Sequence, residues 1–290
     1  MSFSQNQVCF NTASLPGPSV EQALTTGREM GFRAVELLAF DGYRHRAGPL
    51  AGFYWDRLSC AERDRLRGLL DPFERVALHA PFIELHPLSP SPAIREVSLA
   101  QLEASLQAGH ALGAEVVTTH AVPVPQYSYE ELKPGLVDLY RWLGDLAGAG
   151  MLKVGIETGW PPPEELADLV TAVDHPRVGV TVDVGHLVWA LPPERRAAPD
   201  GPEAYNDLLA SHVRAAGARL VHVHVHDVRH PEWRDHALLG TGLIDWPRLA
   251  RELAALGYEG LMSFELEETR PAEALRASRE RLLGYLAKAR

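Results

Sequence analysis

The chain has 290 residues, 46% of them hydrophobic and 23% charged, enough to bury a sizeable core. Its 38 Asp and Glu outnumber 28 Lys and Arg, and the formal net charge of −10 argues against nucleic acid or an anionic membrane surface as partner. Two cysteines without close spacing, Cys9 and Cys60, argue against a disulfide framework and for a cytoplasmic setting; Met1 to Asn11 lacks the basic-then-apolar pattern of a signal peptide, and no stretch approaches the roughly 18 apolar residues of a membrane span.

Along the chain, short apolar and β-branched runs predict strands over Val8–Leu15, Ala34–Phe40, Val76–Phe82, Val116–Val122, Lys153–Gly159, Val178–Leu187, Leu220–Val228 and Leu261–Glu267. Helical periodicity fills the intervals, for example over Leu99–Ala111, Tyr129–Leu146, Pro163–Val173, Tyr205–Ala216, Trp246–Ala255 and Ala272–Ala287. Pro162, Pro163 and Pro271 mark helix starts, and Gly257 marks a helix end. Eight strand–helix alternations with short connections imply parallel pairing, and a closed (β/α)8 TIM barrel fits them better than an open sheet. With no composition shift to divide it, residues 1–290 read as one barrel domain. Long loops follow strands at Asp41–Asp56, Ile83–Pro92, Leu191–Pro202 and Arg229–Asp245, which places them on the C-terminal face where barrels keep their chemistry. The last two, rich in Pro and Arg, are candidates for a lid.

The phase of each strand locates the polar residues. Side chains two apart share a face. In Leu220–Asp227 the valines Val221, Val223 and Val225 share one face, and His222, His224 and His226 the other. With valines packed on the helices, the histidines point into the barrel. The same phase sends Val180 and Val182 outward with Thr181 and Asp183 inward. It sends Met262, Phe264 and Leu266 outward with Ser263, Glu265 and Glu267 inward. Glu157, His79 and His120 also fall inward.

Thirteen histidines are many for this length, and at least seven sit at or just after strand ends. Several ionisable groups desolvated together require a compensating charge. Carboxylates converging on imidazoles therefore point to a divalent cation, and the oxygen and nitrogen donors suit zinc, manganese, iron or cobalt. A lone interior histidine is more often a hydrogen-bonded core residue, but a shared phase and strand end is hard to produce for structural reasons alone.

Six segments carry a resemblance: Ala77-Leu78-His79-Ala80-Pro81, Gly155-Ile156-Glu157, Val182-Asp183-Val184-Gly185-His186, His224-Val225-His226-Asp227, His236–Gly242 and Phe264-Glu265. In this order the chain resembles the xylose isomerase-like TIM-barrel superfamily, which includes sugar (phosphate) isomerases and epimerases, inosose dehydratase and endonuclease IV. The resemblance implies that Glu157, Asp183, His224 and Glu265 form the shared metal site. It matches His79 and His120 to ligands of a second metal in the endonuclease IV branch, and His186 and His236 to ligands of a third. The aspartate that completes the third site there is Arg234 here, with Asp235 one place later, so one or two ions are expected, manganese or zinc first, with cobalt, iron or magnesium as alternatives.

The function expected is isomerisation or epimerisation of a ketose, related sugar or sugar phosphate through an enediolate, with Glu157 and Glu265 exchanging protons as base and acid. His186 or Arg229 would orient hydroxyls. A dehydratase like inosose dehydratase fits the same residues. A different class, a metal-dependent phosphodiesterase acting on abasic DNA, draws support from His79, His120, His186 and His236 and from Phe82-Ile83 and Arg44-His45-Arg46 in the loops. Acidity and Arg234 weigh against it. A non-catalytic barrel that binds a small molecule ranks below both. Trp160, Trp189 and Trp233 follow strands and either stack on a ligand or pack in loops. Gly240-Thr241-Gly242 is read as a tight turn whose amides are also available to a phosphate. Homo-oligomerisation is compatible with the fold, without an apolar stripe that demands it.

Overall fold

The computed structural model describes residues 3–17 and 19–289, so Met1, at the start of the segment read for a signal peptide, lies outside the described residues. Eight parallel strands close a barrel in chain order. They are β1 (Val8–Asn11), β2 (Ala34–Leu38), β3 (Arg75–His79), β4 (Val116–Thr119), β5 (Lys153–Glu157), β6 (Val178–Asp183), β7 (Leu220–Val225) and β8 (Leu261–Phe264), with β8 pairing back onto β1. The helices outside are α1 (Val20–Glu29), α2 (Cys60–Leu70), α3 (Pro92–Leu112), α4 (Tyr129–Ala147), α5 (Pro163–Val173), α6 (Gly201–Ala216), α7 (Trp246–Ala255) and α8 (Pro271–Lys288). This is a (β/α)8 TIM barrel. No helix among the described residues is long and apolar enough to cross a membrane.

Local chemistry sets the helix ends. Ser59 with Glu62 and Ser128 with Glu131 form capping boxes that satisfy the free amides at the starts of α2 and α4. Pro163 and Pro271 occupy first-turn positions, where a missing N–H costs nothing. Outward residues such as Ile156, Val182, Val223 and Phe264 are fully buried between sheet and helices. Each such side chain contributes about 1.5–3 kcal/mol of hydrophobic stabilisation. Phe264 also meets the edge of Phe32, ring centroids 6.1 Å apart.

Register decides which inward residues share a level. Asp183 lies opposite His224, and His224 opposite Ser263. Glu157 pairs with Thr181 one step below, and Asn11 with Glu36 across the barrel's first two strands. Seven of the eight strands fall within the spans expected from sequence and β3 starts one residue earlier, at Arg75, but each ends earlier than its apolar run. His120, His226 and Glu265 therefore sit one residue beyond their strands, at the rim where ladder pairing stops.

The loops hold more structure than sequence suggested. The segment 41–56 carries a small antiparallel pair, Arg44–His45 with Gly48–Pro49. The last long loop carries another, Asp227–Arg229 with Arg234–Ala237, and 191–202 contains a short helix, Pro193–Arg196.

Candidate metal centre

Glu157 ends β5, Asp183 ends β6, His224 lies within β7 and Glu265 follows β8. Each offers a ligand atom, and these four atoms all lie within 4.8 Å of one another. Glu157, Asp183 and His224 are buried, and the Glu265 side chain keeps 13% of its surface. The expected quartet thus meets at one point in the barrel mouth.

Glu157 is the hub. Its Oε2 lies 3.1 Å from His79 Nε2 and 3.0 Å from His120 Nε2. Its Oε1 lies 3.0 Å from His186 Nδ1 and 3.2 Å from His224 Nδ1. Burial alone would raise this carboxyl, but His120 and His224 overcome it and hold Glu157 well below the ordinary range. Asp183 accepts at Oδ1 from the amides of Gly185 (2.8 Å) and His186 (2.9 Å), which fixes the turn after β6. His226 Nε2 lies 2.8 Å from the same oxygen.

The tautomer of His226 follows from its other nitrogen. The backbone N–H of His236 donates to Nδ1 at 2.9 Å, so the ring proton sits on Nε2 and is donated to Asp183. His236 reaches this position in the left-handed region (φ 50°). A Cβ at Gly185 would overlap His226, which accounts for the glycine there.

Glu265 differs from Glu157. Burial, opposed by His224 and reinforced by Glu157, pushes it up to about 7. Asn11 Nδ2 donates to its Oε1 at 2.7 Å. Against burial, Asp183 and Glu157 push His186 up to about 10, whereas burial brings His236 down to about 3. Without a cation, protonated imidazoles carry the charge compensation; three carboxylates and one imidazole converging in a buried site also fit the donor set of a divalent cation.

The centre opens into a cavity of about 270 Å³. Glu157, Glu265, His79, His120, His186 and His236 all contribute to its wall. Phe40, Phe82, Ile83 and Leu266 supply apolar surface, and Phe82 stacks on His120 with centroids 4.5 Å apart. Arg44, His45 and Leu50 close one side. The covering segment among the described residues is therefore 41–56; no residue of 191–202 lines the cavity, contrary to the lid expectation, and the last loop contributes only His236.

Other expectations are corrected by position. Arg229 turns to Glu268, Nη2 to Oε1 2.6 Å, and is absent from the cavity wall, because that carboxylate also anchors Arg234 and the amide of Leu238. Trp160, Trp189 and Trp233 do not line the cavity; Trp160 meets Tyr129, Trp233 meets Tyr205, and Trp189 is 70% exposed. The Gly240 amide already donates to Asp227 Oδ2 at 2.7 Å, and a Cβ at Gly242 would overlap Val228, so this turn is packing rather than a phosphate loop.

Two residues beyond the expected set reach the centre. Asn11 holds Glu265, and Glu36 lies beneath His224, Oε1 to Nε2 3.2 Å. Their signal was a single polar residue in each of two short buried strands, Val-Cys-Phe-Asn and Ala-Val-Glu-Leu-Leu.

A family model described as xylose isomerase-like TIM barrel matches residues 24–285. The uncharacterized protein MJ1311 of Methanocaldococcus jannaschii is 26% identical over 233 residues, covering 76% of this chain and 73% of its own. The structure of D-psicose 3-epimerase from Clostridium cellulolyticum H10, obtained with D-tagatose, superposes with a TM-score of 0.74 at 16% identity, covering 99% of each chain. The IolI protein, solved with a zinc atom, gives 0.73 at 19% identity, covering 100% of this chain and 99% of its own. At these identities the structural likeness establishes the fold.

Proposed function

The chain belongs to the xylose isomerase-like TIM-barrel family, and from that premise we propose that it is a divalent-metal-dependent isomerase or epimerase of a ketose, related sugar or sugar phosphate. The observation that carries this reading is the convergence of Glu157, Asp183, His224 and Glu265, ligand atoms within 4.8 Å of one another, with Glu157 and Glu265 lining a small cavity. These four residues would hold the ion. The chemistry such an ion supplies when bound is Lewis acidity toward adjacent carbonyl and hydroxyl oxygens. At about 270 Å³ the cavity falls just under the usual range of small-molecule pockets, about 300–1,000 Å³, and suits one monosaccharide rather than a polymer.

The protein's own groups supply the proton chemistry. Burial pushes Glu265 up to about 7 in the metal-free chain, and it is one of the two carboxylates assigned to proton exchange. Asn11 donates to its Oε1, while Oε2 accepts no hydrogen bond among the described residues. Glu157, held ionised by its imidazoles, is the second carboxylate on the wall. One removes the proton from the carbon beside the carbonyl, and the other returns it. His186, also on the wall, orients a hydroxyl, and Phe40, Phe82 and Leu266 exclude water from the reacting carbon. The shared fold of a D-psicose 3-epimerase and of zinc-bound IolI supports the same reading.

The test is metal analysis of purified protein and of Glu157→Ala, beside a panel of ketoses and their phosphates. Metal in the wild type, its loss in the variant, and interconversion of a ketose with its epimer or aldose are expected. A protein that takes up no divalent metal after reconstitution contradicts the proposal. A second reading, phosphodiester hydrolysis at abasic DNA, is favoured by one observation: His79 and His120 both reach Glu157 Oε2, as a second ion would require. Salt-sensitive cleavage of abasic duplex, without turnover of any sugar, would establish it instead.

A further inference from the structure

Beneath the four candidate ligands the barrel holds a carboxylate that the proton chemistry above does not use. Glu36 is the only ionisable residue of β2, and it has no exposed surface. Val35 and Leu37 on either side face the helices, so Glu36 points into the barrel. Its Oε1 lies 3.2 Å from His224 Nε2, and its Oε2 lies 3.3 Å from His222 Nε2. Both histidines are fully buried too.

An ionised carboxylate only accepts hydrogen bonds, so both imidazoles must present an N–H at Nε2. For His224 this makes Nδ1 the nitrogen free to offer a lone pair. Nδ1 is also the atom that faces the centre, 3.2 Å from Glu157 Oε1, 3.6 Å from Glu265 Oε1 and 3.7 Å from Asp183 Oδ2. Among the described residues the His222 ring has no partner at its Nδ1, and its side-chain hydrogen bond is to Glu36. The second donor braces the carboxylate from below.

We infer that Glu36 is a positioning residue, which holds His224 in the Nε2–H tautomer and in the ring orientation that offers Nδ1 to the divalent cation. This rests on the metal reading given above. A ligating imidazole usually passes its other N–H to a carboxylate or carbonyl, and losing that partner typically costs about 10–100-fold in metal affinity.

Glu36→Gln separates this role from simple packing. Glutamine keeps the shape but offers one acceptor and one amide donor, so it cannot accept from both rings. Zinc affinity is measured for wild type and variant by competition with a chromophoric chelator. The proton positions on His224 are read from ¹⁵N imidazole spectra of the wild type with zinc. Zinc binding about 10–100-fold weaker in the variant, with the wild-type His224 proton on Nε2, is expected. Unchanged affinity overturns the inference, as does a wild-type His224 without a proton on Nε2. A variant that is merely less stable to denaturant, with wild-type affinity in its folded fraction, also counts against it. Where the variant does not fold, the wild-type spectra decide. A wild type that binds no zinc sinks the metal reading, while the proton position on His224 still decides the role of Glu36.

Discussion

The two ends of the barrel interior are built from the same strands and could hardly be more different. At the N-terminal end, Cys9, Ala34, Ala77, Val116 and Leu261 form a small, dry apolar layer. Two to four residues further along the same strands stand Asn11, Glu36, His79, His120 and Glu265, and the layer is ionic. A hollow of about 450 Å³ also exists at the N-terminal end, but its charged residue from the barrel strands, Arg75, is already paired with Glu115. One end is satisfied internally, whereas the other concentrates carboxylates whose mutual repulsion a cation would relieve. That division follows the general rule for barrels, stability below and chemistry above.

The sharpest way to break the comparison is at Glu157. Removing it takes away the acceptor shared by four imidazoles. Glu157→Ala is expected to abolish metal binding and to cut kcat/KM on the substrate by roughly a thousandfold or more, about 4 kcal/mol, as seen when a group central to the transition state is lost. Steady-state kinetics with metal analysis checks this; wild-type turnover would place the chemistry elsewhere.

Next in size is the ion itself. A cation present at 100 times its Kd is expected to raise stability by about 2.7 kcal/mol. Chelation should lower the melting temperature correspondingly, read by calorimetry before and after dialysis against EDTA. The apolar end should lose stability without any change in metal binding. Ala77→Val overfills a layer with no exposed surface at that residue and is expected to cost about 1–3 kcal/mol in denaturant unfolding while metal affinity is unchanged. A large change in affinity would mean the two layers are not independent.

The smallest effect lies outside the barrel. Burial holds His212 on α6 down at about 4, and its Nε2 has no hydrogen-bond partner among the described residues. The unfolded chain takes up the proton from about pH 6.5, the folded chain only near 4, so stability falls as pH drops through that window. At pH 5.5 the loss is about 1 kcal/mol. His212→Leu should flatten that part of the stability–pH curve.

Alternation is why most of the centre was legible. In Leu-Val-His-Val-His-Val the period of two assigns faces outright, and the same phase placed Asp183, Glu157 and Glu265 inward. Glu36 and Asn11 escaped because their strands read as continuous apolar runs with a single exception, and one polar residue in such a run does not declare its partner. The closed barrel was legible from eight alternations, but strand ends were not: apolar residues continue past the last paired position, as Leu266 does after Phe264. Arg229 looked like a substrate contact because sequence carries no trace of Glu268 waiting beside it.

The most direct measurement is anomalous X-ray scattering from crystals soaked in zinc or manganese. A peak within bonding distance of Glu157, Asp183, His224 and Glu265 together is expected. A peak seated instead on His186, His226 and His236, the other exposed-side cluster of ligand atoms, or no ordered metal at all, would contradict the four-residue centre.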